Sequence, residues 1–242
     1  MKRPISFSLI VPVYAEAPNI VSNIENINLK LRDMIGAGIV SDYEVMVLWG
    51  IHNRPLLKAL QDLKLRNSIV YEGQYPELGV MFKLGISFAR KEYVGLITPF
   101  NQINLDSLKD ILTALNSHEM VVAFIGNRSA RPWYRIVASE FNVMLVNWLF
   151  GLRLKYYHLN FYQTALVRKV PFTTDSHAAM VEAGVWMANS GANLIQVPFT
   201  MIPHNFKSKS RAFRIVNIIE VFKAYMKLFW RIRILRKRIN LS

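Results

Sequence analysis

Arg128, Arg131 and Arg135 flank Trp133 and Tyr134, and a guanidinium triplet of this kind can hold a phosphate through charge-assisted hydrogen bonds. The same three residues could equally form a solvated basic face. Lys207, Lys209 and Arg211 make a second cluster, in a Ser-Lys loop, with the same two readings. Upstream, Glu16 stands where an apolar run ends, either as a nucleotide-site carboxylate or as a turn acid near a helix start. Trp49 closes another apolar run, where an indole either stacks on a base or packs inward.

Metal ligands are harder to assemble from this chain. Hard divalent cations take oxygen donors, yet Asp106 fits an acid favoured by the dipole at a helix N-terminus. Asp175, His177, His158 and His204 lack a ligand spacing such as His-x-x-x-His. The chain has no cysteine, which excludes disulfides, thiolate metal sites and a Cys nucleophile, and permits a reducing cytoplasm.

The elements that must position these residues follow from hydrophobic periodicity. Residues 6–14 (SFSLIVPVY) form an apolar, β-branched run that ends in a Pro-containing turn, the pattern of a central strand. Pro18 suits a first helical turn, and Ile20, Ile24, Ile27 and Leu31 recur at helical spacing. Further strands are expected at 43–48, 68–71, 93–98, 120–125 and 194–201. Helices are expected at 55–65, 79–90, 133–150 and 178–189, with strand and turn over 160–169. Such alternation predicts an α/β fold with a mostly parallel sheet between helices. Ligands of such sheets bind beyond the strand C-terminal ends, so the loops after Tyr14, Leu48 and Thr98 should surround one crevice.

Composition narrows the partners. The chain is 52% hydrophobic over 242 residues, enough for one compact core, and shows no repeat or low-complexity tract. Two basic residues precede the first apolar stretch, but Pro12 and the lack of a small-residue cleavage site make that stretch a strand rather than a leader. No uncharged apolar run reaches the roughly 18 residues of a membrane span. Lys and Arg outnumber Asp and Glu by 30 to 16, a net charge of +14, which attracts anionic partners. Nucleic acid is not expected among them, because no aromatic-basic RNA motif or zinc finger is present.

The basic excess culminates in residues 213–242. Lys223, Lys227 and Arg231 stand at i, i+4 and i+8, beside Phe222, Met226, Phe229 and Trp230. An amphipathic basic helix of this kind suits an anionic membrane surface, each cation contributing about 1 kcal/mol there. A helix packed on the domain or on a partner would show a similar pattern.

Several motifs carry a family resemblance. SLIVPVYAEAPNI, residues 8–20, resembles the opening of family-2 glycosyltransferases, where a strand ends in a Pro-x-Tyr-Asn-Glu turn beside the nucleotide; Pro12, Tyr14 and Glu16 match, and Ala15 replaces the Asn. Residues 79–100 resemble the family's Gly-rich helix and following strand, with Gly79, Lys83, Gly85 and Ala89 in register. Residues 125–154 are similar to the Gly-Ser-Arg stretch and basic helix of polyprenyl-phosphate mannose and glucose synthases, through Arg128, Arg135, Ser139, Asn142 and Gly151. Residues 194–213 resemble the late strand and Ser-Lys loop, through Pro198, Lys209 and Arg211.

The resemblance spans residues 6–236 and implies a GT-A domain over residues 1–212, followed by the basic helix and tail. Its relatives transfer a sugar from a nucleotide sugar to a polyprenyl phosphate at a membrane, with Mg²⁺ or Mn²⁺ neutralising the departing diphosphate. By resemblance, Pro12, Tyr14, Glu16, Trp49, Lys83 and Asn101 surround the nucleotide sugar. Arg128, Arg131, Arg135, Ser139, Lys209 and Arg211 face the diphosphate and acceptor phosphate, while Lys223, Lys227, Trp230 and Arg231 meet the membrane.

Two acidic motifs of the family are replaced. Pro99 and Asn101 occupy the Asp-x-Asp positions after the fourth strand, and Leu48-Trp49-Gly50-Ile51-His52 stands where relatives carry Asp-Asp-Gly-Ser. No metal site and no cofactor are therefore expected, and no catalytic residue is named. The expectation is a degenerate glycosyltransferase, peripheral on the cytoplasmic face of a membrane, that acts by binding, with an active second glycosyltransferase or a polyprenyl-phosphate lipid as partner. The alternative is an active, metal-independent enzyme in which Arg and Lys stabilise the leaving diphosphate.

Overall fold

A computed structural model describes residues 3–16, 19–63, 65, 67–75, 77–100, 103–127, 130–155, 159–202 and 215–241, with 215–218 described by backbone alone. Strands β1 (Ile5–Val13), β2 (Val40–Trp49), β3 (Ser68–Glu72) and β4 (Tyr93–Leu96) alternate with helices α1 (Ile20–Gly36), α2 (Arg54–Asp62) and α3 (Leu78–Phe88). Then come α4 (Ser107–Leu115), β5 (Met120–Ile125), α5 (Trp133–Phe150), β6 (Asn160–Gln163), α6 (Thr164–Val167), α7 (Ala178–Asn189) and β7 (Leu194–Phe199). Helix α8 (Ile215–Phe229) runs into a π-helical turn, Trp230–Ile234.

The seven strands form one sheet in the order β3-β2-β1-β4-β6-β5-β7. All pairings are parallel except those of β6, which runs antiparallel to both β4 and β5. This is the expected α/β arrangement of a mostly parallel sheet flanked by helices. The chain winds from β1 outward to β2 and β3, then returns to β4 on the other side of β1, so the gap between β1 and β4 is the topological switch point.

Side-chain alternation along β1 divides the core between two faces. Phe7, Leu9, Val11 and Val13 pack with the apolar stripes of α1, α2 and α4, whereas Ile10 packs with α3, α5, α7 and α8. Both faces are covered, which is why β1 and β2 are near-continuous apolar runs. The C-terminal segment belongs to this core: Tyr225, Leu228, Ile232 and Ile239 are buried in the same cluster as α3 and α7.

Candidate functional site

The crevice forms where the ladder frays. Beyond the paired strands, the Gly50 amide still donates to the Val13 carbonyl at 2.9 Å, Ile97 to Ile10 at 3.0 Å and Gly73 to Trp49 at 3.1 Å. These bonds hold the three loops in line with the strands that feed them. A Cβ at Gly50 would fall 2.6 Å from Met81 Cε, so a side chain there would have to push the end of that methionine aside.

Two clefts open along this edge. The first, of ≈ 410 Å³, lies at the ends of β2 and β3 and is lined by Trp49, Ile51, His52, Arg54, Glu72, Gly73 and Gln74. Arg54 and Glu72 form an ion pair across it at 2.5 Å, with side chains 79% and 44% exposed. A pair so exposed is worth about 0–1 kcal/mol, so an incoming anion can compete for the guanidinium. Asn53 holds the loop beneath: its Oδ1 accepts from the Leu56 amide at 3.0 Å, capping α2, and its Nδ2 donates to Glu16 Oε1 at 2.8 Å. Glu16 thus ties the loop after β1 to the loop after β2.

The second cleft, of ≈ 170 Å³, sits at the switch point and is lined by Tyr14, Leu96 and Thr98 from the strand ends, with Ile103, Met180, Phe199 and Met201 among its apolar walls. Thr98, Tyr14 and His177 are its polar side chains, and no carboxylate lines it among the described residues. The Tyr14 ring meets Phe100 edge-on at 5.3 Å, and Asn23 Nδ2 donates to the Pro99 carbonyl at 3.0 Å, fixing the loop after β4. The far wall is closed by the antiparallel bridge between Ile103 and Met201 and by Asn127, whose side chain exchanges two 2.8 Å hydrogen bonds with the Met201 backbone. Gly79 allows α3 to close on the loop before α7, since a Cβ there would lie 2.2 Å from the carbonyl oxygens of both Asp175 and Ser176.

The residues singled out in the sequence fall into distinct places. Pro12 is buried in β1 opposite Leu48, and Tyr14 lines the second cleft. Trp49 reaches the first cleft but is only 1% exposed, so its indole is packed in the core rather than presented as a stacking platform. Lys83 pairs with Asp175 across the α3–α7 contact. Burial, followed by the Glu220 and Asp175 charges, raises the pKa of nearby Glu77. Arg131 precedes α5, and Arg135 and Ser139 lie in its first turns, all three half-buried. Asn101, Arg128, His158, His204, Lys207, Lys209 and Arg211 lie outside the described residues.

Lys223, Lys227 and Trp230 are exposed on the C-terminal helix, but Arg231 is placed differently from the membrane-facing expectation. Its side chain is 18% exposed, donates to the Pro171 carbonyl at 2.7 Å, lies over the Trp186 ring at 5.2 Å and approaches Glu182 at 3.7 Å. Glu182, 3% exposed, also accepts from the Thr173 amide and hydroxyl, and burial raises its pKa against the pull of these partners. Arg231 is therefore a tether of the C-terminal helix to α7.

Sequence reading missed His52, Arg54, Glu72 and Asn127. The only signal for the first two is position, within six residues of the end of the strand expected at 43–48; Glu72 ends β3, and Asn127 follows β5 with nothing local to reveal its clamp.

The polar edge of a doubly covered sheet, with its switch point between β1 and β4, is the architecture of the GT-A glycosyltransferases, and the comparisons agree. No protein-family model and no curated protein matches the chain. Solved structures do. Glucosyl-3-phosphoglycerate synthase from Mycobacterium tuberculosis in complex with UDP is similar at a TM-score of 0.67, with 14% identity over 94% of this chain and 80% of that one. The same enzyme with Mn²⁺, UDP and phosphoglyceric acid gives 0.63 at 15% identity over 95% and 78%, and with Mg²⁺ and UDP 0.61 at 15% over 95% and 79%. The fold of this chain is thus the GT-A fold that these structures show.

These neighbours correct one expectation. The fold was expected to need no divalent cofactor here, yet its solved neighbours hold Mn²⁺ or Mg²⁺ together with UDP. The donor set of this chain does not supply a carboxylate cage for such an ion: no group of three or more His, Asp or Glu able to hold a metal occurs among the described residues.

Proposed function

We propose that this protein binds a nucleoside diphosphate or its sugar along the C-terminal edge of the sheet, and that it works by binding rather than by sugar transfer. The observation that carries this reading is the contrast between the clefts. The first offers exposed polar and charged groups at Arg54, His52, Glu72 and Gln74, suited to a nucleotide, and the second is a largely apolar pocket that no carboxylate lines among the described residues. The solved neighbours bind UDP in this fold, and the divalent cation found with it in those structures is carried over as part of the reading. Mg²⁺ and Mn²⁺ favour phosphate oxygens and water alongside few protein ligands, so the ion arrives with the diphosphate.

The protein works at an anionic membrane surface, to which the +14 charge and the exposed Lys223, Lys227 and Trp230 direct it. There it serves as partner to an active glycosyltransferase or to a polyprenyl-phosphate lipid. No helix among the described residues is long and apolar enough to cross a membrane, so attachment is at the surface. Calorimetric titration with UDP, with and without Mn²⁺, tests the nucleotide reading: saturable binding that Mn²⁺ tightens supports it, and no binding under either condition overturns it.

A further inference from the structure

The first cleft holds two groups of opposite charge side by side, each on an anchored backbone. Glu72 is the last residue of β3, in register with Trp49, and the next amide, that of Gly73, donates to the Trp49 carbonyl at 3.1 Å. Side chains alternate along a strand. Tyr71 stacks on Phe88 of α3, so Glu72 projects to the opposite face, toward α2. There Arg54 opens α2, its backbone set by the Asn53 cap. The guanidinium and the carboxylate meet at 2.5 Å with both side chains exposed, and both line the cleft.

Such a pair is a hydrogen-bond pattern as well as a charge pattern. A carboxylate only accepts and a guanidinium only donates, so along one edge the pair offers two acceptors followed by donors. A nucleobase that meets it edge-on must present the reverse order. Guanine does: its ring N–H and exocyclic amine lie side by side, placed to donate to the two carboxylate oxygens, and its keto oxygen follows as the acceptor for Arg54. Uracil sets its one ring N–H between two keto oxygens, so one of them faces the Glu72 carboxylate or goes unpaired. Adenine and cytosine each give the carboxylate one donor. An ion pair so exposed is weak, so opening it to admit a base edge costs little, whereas the hydrogen bonds that replace it are charge-assisted. The volume of ≈ 410 Å³ lies within the ordinary range of small-molecule sites.

We infer that Glu72 and Arg54 read the base, and that the nucleotide held in the first cleft is guanosine diphosphate or its sugar. This rests on the nucleotide reading of that cleft and adds the identity of the base to it. It departs from the solved neighbours, which carry UDP at 14% and 15% identity to this chain. A shared fold does not fix the base; the side chains at the base edge do.

The test is calorimetric titration of the full chain with GDP, UDP, CDP and ADP, each with Mn²⁺. The wild type should bind GDP about tenfold or more tighter than the other three, the worth of one hydrogen bond to a charged group, while UDP still saturates. Glu72→Gln replaces one acceptor by a donor, and the resulting amide complements the ring N–H and one keto oxygen of uracil, so the preference for GDP over UDP should close or reverse. Glu72→Ala should lose the preference without favouring UDP. The Glu72 side chain is 44% exposed, and unchanged thermal unfolding of both variants separates altered specificity from a lost fold. A wild type that binds UDP, CDP or ADP as tightly as GDP would overturn the inference and leave the nucleotide reading standing. So would a GDP preference that Glu72→Gln leaves unchanged. Binding of none of the four nucleotides would overturn both.

Discussion

The two clefts on the sheet edge are built from different material. Apart from the core residue Trp49, walls of the first are loop and surface side chains, such as Arg54 and Glu72, which can move without disturbing the core. The second is walled by the core itself, through Leu78 and Met180 on the two helices that Gly79 brings into contact and through Phe199 at the end of β7. A ligand can therefore reorganise the first cleft at small cost, while the second keeps one shape. The difference teaches where substitutions should register: as lost affinity in the first cleft, and as lost stability around the second.

The largest expected effect lies behind the second cleft. Arg231→Ala leaves the Glu182 carboxyl buried without its cation, and breaking a buried pair costs about 3–5 kcal/mol, readable by urea unfolding. Glu182 also predicts a pH dependence. Because its pKa is raised in the folded protein, chiefly by burial, its contribution to stability is full below the ordinary carboxylate pKa and is lost as pH rises through the folded value. Glu182→Gln should flatten that decline between acidic and neutral pH. An unchanged slope would locate the titration elsewhere.

Gly79→Ala comes next, since the new methyl would meet two backbone carbonyls rather than a movable side chain. Overpacking of this kind costs about 1–3 kcal/mol, and a variant as stable as the wild type would mean the second cleft is less rigid than its walls imply. In the first cleft the pattern should invert. Arg54→Ala is expected to weaken UDP binding by about 1.5–3 kcal/mol, the scale of a hydrogen bond to a charged group, with unfolding stability changed by no more than about 0.5 kcal/mol. A stability loss there without an affinity loss would erase the distinction between the clefts.

How much of this was legible in the sequence varies by element. The apolar runs of β1 and β2 and the spacing of Ile20, Ile24, Ile27 and Leu31 announced a central parallel sheet and its first helix, because burial on both faces leaves few alternatives. The four-residue β6 gave no signal of its antiparallel place between β4 and β5, which is set by long-range pairing. Arg231 was misplaced by helical drift. Each i+4 step advances about 40°, so the series Lys223, Lys227, Arg231 rotates toward the face that buries Tyr225, Leu228 and Ile232, and its last member turns inward. Position 133–150 was read as a long apolar helix, but periodicity alone cannot say which of its faces is left uncovered.

The site was legible in outline only. Which loops meet at the crevice followed from topology, whereas the residues that line the first cleft depend on how α2 and the Gly73 loop approach β2, geometry that no local motif encodes.

The central claim, binding without transfer, is tested most directly by incubating the protein with Mn²⁺ and radiolabelled UDP-glucose, with and without a polyprenyl phosphate, after titration has established saturation. The account predicts that the bound donor is recovered intact, with no glucose released to water or passed to the lipid. Labelled glucose or glycolipid formed in proportion to protein, and abolished by Arg54→Ala, would contradict it.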